Sequence, residues 1–171
     1  RWPWQKSGIS AASFPEKRRH ACGAKTEIGA TMPSKLIFSQ DEYDRRIRRV
    51  REAMDRQGME TLLVVDPANM NYLTGYDGWS FYVPQAVVVS LNQEQPIWIG
   101  RDMDANGARH TTFLSEDNII GYPDAYVQST VKHPMNFMAD EIRRREWQKR
   151  AIGVEMDAYY FSARGYEALR N

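Results

Sequence analysis

TLLVVDPANMNYLTGY, Thr61 to Tyr76, is the stretch on which the fold turns. Thr61–Asp66 is a short apolar run rich in β-branched residues that ends in Asp-Pro, so it reads as a buried strand with a turn after it. Pro67 opens a short helix through Asn69, Met70, Tyr72 and Leu73, because proline has no N–H to lose at the first helical position. Gly75 stops that helix.

Upstream, Ser39 and Glu42 form an S-x-x-E pattern, which predicts a capping box at a helix start. Tyr43, Ile47, Val50 and Met54 then recur at steps of four, three and four, the period of one apolar helix face. The other faces carry Asp41, Asp44, Arg45, Arg46, Arg48, Arg49, Arg51 and Arg56. Asp41–Arg45, Glu42–Arg46 and Asp44–Arg48 stand at i,i+4, so the arginines read as a solvated face rather than a phosphate site. Gly58 closes the helix as a left-handed residue.

Downstream, Gln85–Leu91 reads as a second buried strand, NQEQ as a turn, and Pro96–Gly100 as its hairpin partner. Residues 102–114 form a weak helix and NIIGYP a short strand. A helix follows Pro134 with Met135, Met138 and Ile142 facing in and Arg143–Arg145 out. RAIGVEM is a strand, and Ser162 starts a last helix. The predicted order is α-β-α-β-β-α-β-α-β-α. Helices alternating with apolar strands, plus one hairpin, give an α/β class with a mixed, mostly parallel sheet flanked by helices.

Composition narrows the function classes. The chain has 171 residues, 42% hydrophobic and 26% charged, ordinary globular values for one domain with its own core. No run of about 18 apolar residues occurs, so the reading includes no membrane. A single cysteine, Cys22, excludes an internal disulfide framework and a multi-cysteine zinc site, and the default setting is cytoplasmic. Net charge is +1, which gives no argument for nucleic acid. The charge is uneven: residues 1–31 hold six Lys and Arg against two acids, with no apolar period. They are read as a disordered leader or upstream non-native segment, with the domain spanning 32–171 from Met32. A functional basic tail is the alternative.

No complete catalytic set is visible. His20, His110 and His133 form no H-E-x-x-H, and no G-x-S-x-G elbow or phosphate loop occurs. Asp66, Asp102 and Glu155 each sit near a predicted strand end. A magnesium nuclease would need such carboxylates to converge, but strand-end acids more often cap turns. No catalytic and no metal residue is assigned. What remains is NMNYLTGYDGWSFYVPQ, Asn69 to Gln85, whose rings Tyr72, Tyr76, Trp79, Phe81 and Tyr82 form a run broken by Gly75 and Gly78. Tyr72, Leu73 and Phe81 read as core. Trp79 and Tyr82 read as interface anchors or ligand clamps on a glycine-hinged loop.

FSQDEYDRRIRRVREAMDRQGMETLLVVDPANMNYLTGYDGWSFY resembles the amino-terminal domain of the creatinase, prolidase and aminopeptidase P family. The likeness lies in F-S-x-x-E-Y-x-x-R at the helix start, the strand after Gly58, and D-P-x-N-x-x-Y-L-T-G-Y; it extends from Leu36 to Leu169. The resemblance implies a ribonuclease-H-like domain followed by a pita-bread catalytic domain. In the peptidase members that second domain holds a divalent metal pair, while creatinase works without metal. It implies that this chain alone is inactive and that its partners are its own carboxy-terminal catalytic domain and a second subunit of a homodimer. The lid, Tyr76 to Pro84, would cap the partner's site, with Tyr76, Trp79, Tyr82, Arg101 and Asp102 as substrate-capping residues. Pro84 stands where creatinase has an arginine for the substrate carboxylate. That departure suits another small zwitterionic substrate, with Arg101 for a carboxylate and Asp102 for an amidinium. A Xaa-Pro dipeptidase, a creatinase and a free-standing solute-binding module are the alternatives.

Overall fold

The computed structural model describes residues 36–80 and 82–171. Residues 1–31, Cys22 and Phe81 lie outside the described residues. Ten principal elements follow in the predicted order: α1 Gln40–Arg56, β1 Met59–Val64, α2 Pro67–Thr74, β2 Ala86–Ser90, β3 Ile97–Arg101, α3 Ala105–Thr111, β4 Ile119–Tyr122, α4 Pro134–Arg144, β5 Ala151–Val154 and α5 Ala163–Arg170. The helix predicted over 102–114 is shorter than expected, because Asp102–Asp104 forms a separate 3-10 turn.

The sheet order is β4-β3-β2-β1-β5. β1 pairs antiparallel with β2 and parallel with β5, and β3 pairs antiparallel with β2 and parallel with β4. Four strands therefore run one way and only β2 opposes them. β2 is buried at every position because the sheet is covered on both faces. Val87 and Val89 point to one core with Ile47, Met54, Leu73, Trp98 and Ala108. Val88 and Ala86 point to the other, with Leu63, Ile99, Met135, Met138 and Ile142. Successive side chains alternate between the two layers, which is why the strand reads as continuously apolar.

Local chemistry confirms several boundaries and corrects others. Asp66 caps α2, accepting from the amides of Ala68 (2.9 Å) and Asn69 (3.3 Å), and Gly75 ends it at φ +80°. Gly58 follows α1 at φ +70°. Ser39 is the N-cap residue of α1, but its side chain makes no capping bond. Glu42 turns to Arg45 and Arg46 instead, so the predicted capping box does not form there. One forms at α4: His133 Nδ1 accepts from the Met135 amide (3.1 Å), and Asn136 Oδ1 accepts from the His133 amide (3.0 Å).

The arginine face of α1 also needs correcting. Arg46 is buried; its guanidinium lies 4.1 Å from the Phe38 ring centroid and 4.6 Å from that of Tyr72, and it donates to the Tyr72 carbonyl at 3.1 Å. It staples α1 to α2, leaving Tyr72 half-exposed over a cation instead of inside the core. Arg51 reaches the carbonyls of Ser90 (3.1 Å), Glu94 (2.8 Å) and Gln93, closing the hairpin turn after β2. Of the expected i,i+4 pairs, Glu42–Arg46 forms at 2.9 Å. Asp44 accepts from Gln40 instead.

Candidate functional site

The carboxyl ends of β1, β4 and β5 open into one cleft of about 340 Å³. Its walls are the chain from the end of β1 into the start of α2 (Val65, Pro67, Met70), the lid before β2 (Ser80, Tyr82–Gln85), the segment leading into α4 (Tyr126–Thr130 and Lys132–Pro134) and the segment leading into α5 (Tyr159, Tyr160, Ser162, Arg164). Crevices outside the carboxyl ends of strands are where α/β sheets take ligands, because the loops there can vary without disturbing the core.

The lid divides in two. Tyr76 is 2% exposed; its hydroxyl donates to Gln85 Oε1 at 3.0 Å and its ring packs against Trp98 at 5.4 Å. Burial, then the nearby Asp104 carboxylate, push its phenol up to about 12. Tyr76 is thus placed within the core and apart from the other capping residues. Gly78 lies directly on the Tyr76 ring, where a Cβ would stand 2.2 Å from its oxygen, so the glycine permits this close approach. Trp79 and Tyr82 are 64% and 55% exposed. Trp79 Nε1 donates to the Tyr160 hydroxyl at 2.7 Å, joining the lid to the β5–α5 loop. The far end is fixed by the Tyr122 hydroxyl, which donates to the Pro84 carbonyl at 2.5 Å.

Arg101 and Asp102 sit at the end of β3. Arg101 donates two hydrogen bonds to Asp124, Nε to Oδ1 at 2.7 Å and Nη2 to Oδ2 at 3.0 Å. That pairing raises the guanidinium pKa and holds the Asp124 carboxyl below its usual range. Asp102 is exposed and packs beside Gly121. Neither residue lines the cleft. Its cations are Lys132, from the β4–α4 loop, and Arg164, in the first turn of α5, with His133 beside them. Burial, followed by the charge of Arg164, lowers the His133 pKa. The Pro134 that follows was the legible sign of His133's place, since proline favours the first helical turn.

The strand-end acids do not converge. Glu155 is buried and accepts from the amides of Val65 (2.6 Å) and Asp66 (2.8 Å) and from Asn69 Nδ2 (2.6 Å), tying β5 to the β1–α2 turn. Among the described residues no group of three His, Cys, Asp or Glu is arranged to hold a metal. None of their helices is long and apolar enough to cross a membrane.

Comparison with known proteins assigns the family. Residues 46–171 match the Creatinase/Prolidase N-terminal domain. The chain is 50% identical over 135 residues to ectoine hydrolase of Halomonas elongata, covering 78% of this chain and 34% of that protein. It is 45% identical to an uncharacterized hydrolase/peptidase of Sinorhizobium fredii over 79% of this chain and 34% of the relative. The chain therefore spans about a third of the length of the curated relatives it matches. Among solved structures, the N-terminal domain of a Xaa-Pro dipeptidase from Lactobacillus brevis aligns at a TM-score of 0.59 and 18% identity, over 72% of this chain and 84% of that one. Dipeptidase PepE from Mycobacterium ulcerans aligns at 0.56 and 14%, over 78% of this chain and 34% of that one. At such identities the likeness concerns the fold, and it agrees with the mixed sheet described above. The chain belongs to the creatinase/prolidase N-terminal domain family.

Proposed function

We propose that this chain is the amino-terminal domain of an ectoine hydrolase, an enzyme that opens the cyclic amidine of ectoine during breakdown of that solute in the cytoplasm. The 50% identity to the Halomonas elongata enzyme carries this reading. The reacting atoms are handled by a following catalytic domain, with a divalent metal pair if that domain is peptidase-like. This chain supplies a cap over the active site of a second subunit in a homodimer. Trp79 and Tyr82 suit that role: both are large, amphipathic and exposed, on a lid anchored at each end. The pairing of Arg101 with Asp124 makes Arg101 a poorer carboxylate clamp than its position alone suggests.

The test is hydrolysis by the protein that carries this chain together with the catalytic domain, using ectoine and a panel of Xaa-Pro dipeptides. Turnover of ectoine with no dipeptide cleavage supports the reading. Dipeptide cleavage without ectoine turnover overturns it in favour of a Xaa-Pro dipeptidase. Trp79→Ala and Tyr82→Ala should lower kcat/KM by about tenfold or more, a loss of roughly 1.4 kcal/mol of transition-state binding, while leaving the fold intact.

A further inference from the structure

The cleft is cationic. Lys132 and Arg164 both line it, and among the described residues no aspartate or glutamate does. Several arginines elsewhere in the domain pair with acids, as Arg101 does with Asp124, Arg109 with Glu116 and Arg143 with Asp140, while among the described residues Arg51 donates only to backbone carbonyls. Arg164, at an exposed position on the rim of the cleft, uses one nitrogen, Nη2, to donate to the carbonyls of Ser129 (3.1 Å) and Thr130 (3.3 Å). Its Nε and Nη1 have no partner among the described residues. Lys132 Nζ lies 5.3 Å from the Tyr126 ring centroid and likewise has no acid partner among them. Two positive charges without counter-charges, set beside low-dielectric walls, draw an anion into a concave site. The depth of the cleft is apolar, with Val65 and Met70 nearly buried at its floor. That floor favours an anion with an apolar ring over a bare inorganic one, and about 340 Å³ is at the small end of ligand sites.

We propose that this cleft is a binding site of the domain itself for a small ring-bearing carboxylate, with Arg164 and Lys132 receiving the carboxylate and the Val65–Met70 floor receiving the ring. Arg164 is held in place by the two carbonyls, so its remaining donors are oriented before the ligand arrives, which lowers the entropic cost of binding. The proposal concerns this domain alone and stands whether or not the parent enzyme acts on ectoine.

The experiment is a heteronuclear NMR titration of the 171-residue chain with benzoate and, separately, with its neutral isostere benzamide. Benzoate should shift the amides around Ser129 and Gly165 saturably, and benzamide should bind about tenfold more weakly. Arg164→Gln and Lys132→Gln should each weaken benzoate binding by about tenfold, the size of one charge-assisted hydrogen bond. Arg109→Gln, which removes a paired arginine, should leave it unchanged. Equal affinity for benzoate and benzamide overturns the proposal. So does saturable binding that maps elsewhere, the absence of saturable binding, or unaltered affinity in Lys132→Gln. That last variant decides the matter if Arg164→Gln unfolds, since the Lys132 side chain makes only a ring contact among the described residues and the hydrogen bond from its backbone amide to Ser129 Oγ is kept.

Discussion

Trp79 Nε1 donates to the Tyr160 hydroxyl at 2.7 Å, across 81 positions of sequence. The bond joins the lid to the loop that leads into α5. It is exposed, with Trp79 open to solvent and Tyr160 half-buried, so water can replace it at little net cost. Tyr160→Phe should therefore change the free energy of unfolding by less than about 1 kcal/mol. Amide exchange over residues 77–83 should nevertheless accelerate, because the lid loses a tether. Unchanged exchange there would show that the bond does not restrain the lid.

Glu155 is the buried counterpart. Its carboxylate satisfies the Val65 and Asp66 amides, the first two after β1 ends. Glu155→Gln replaces a charged acceptor and sets an amide nitrogen among donors. It should cost about 1.5–3 kcal/mol in urea unfolding, while Asp157→Asn, at an exposed position two residues on, should cost almost nothing.

His133 links stability to acid. Its Nδ1 accepts from the Met135 amide, which requires a neutral ring, and burial with Arg164 nearby lowers its pKa below the ordinary 6.5. Below pH 6.5 the unfolded chain takes up a proton that the folded chain refuses, so stability present at pH 7 is lost as the pH falls. His133→Asn retains an N-cap acceptor without the titration. Between about pH 6.5 and 5, its unfolding free energy should vary less steeply than that of the parent chain.

Tyr76 acts at the alkaline end. Its ordinary phenol value of 10 is raised to about 12 in the fold, so the unfolded chain ionises first. Stability should fall as pH rises from 10 to 12, and Tyr76→Phe should flatten part of that fall. Tyr122 is raised in the same direction by burial, then by Asp104, and contributes to the slope that remains.

The element order was legible from sequence because periodicity and punctuation are local. Apolar steps of three and four, β-branched runs, Asp-Pro and Gly each act through a few neighbouring residues. The family likeness was legible for the same reason, resting on contiguous motifs from Phe38 to Tyr76. Two of the three strand-end acids also behaved as caps, Asp66 within its own turn and Glu155 across the sheet, while Asp102 caps nothing among the described residues. What sequence could not supply was the side on which each ring and charge of the site would lie.

Only the tertiary structure placed Tyr76 inside and Trp79 and Tyr82 outside, three aromatics within seven residues. It put Arg46 among rings, bound Arg101 to Asp124, and moved the free cations of the site to Lys132 and Arg164. The physical reason is range. A helix or strand is selected by the chain near it, whereas burial and ion pairing depend on residues brought together from distant segments, as Glu155 and Val65 are across 90 positions.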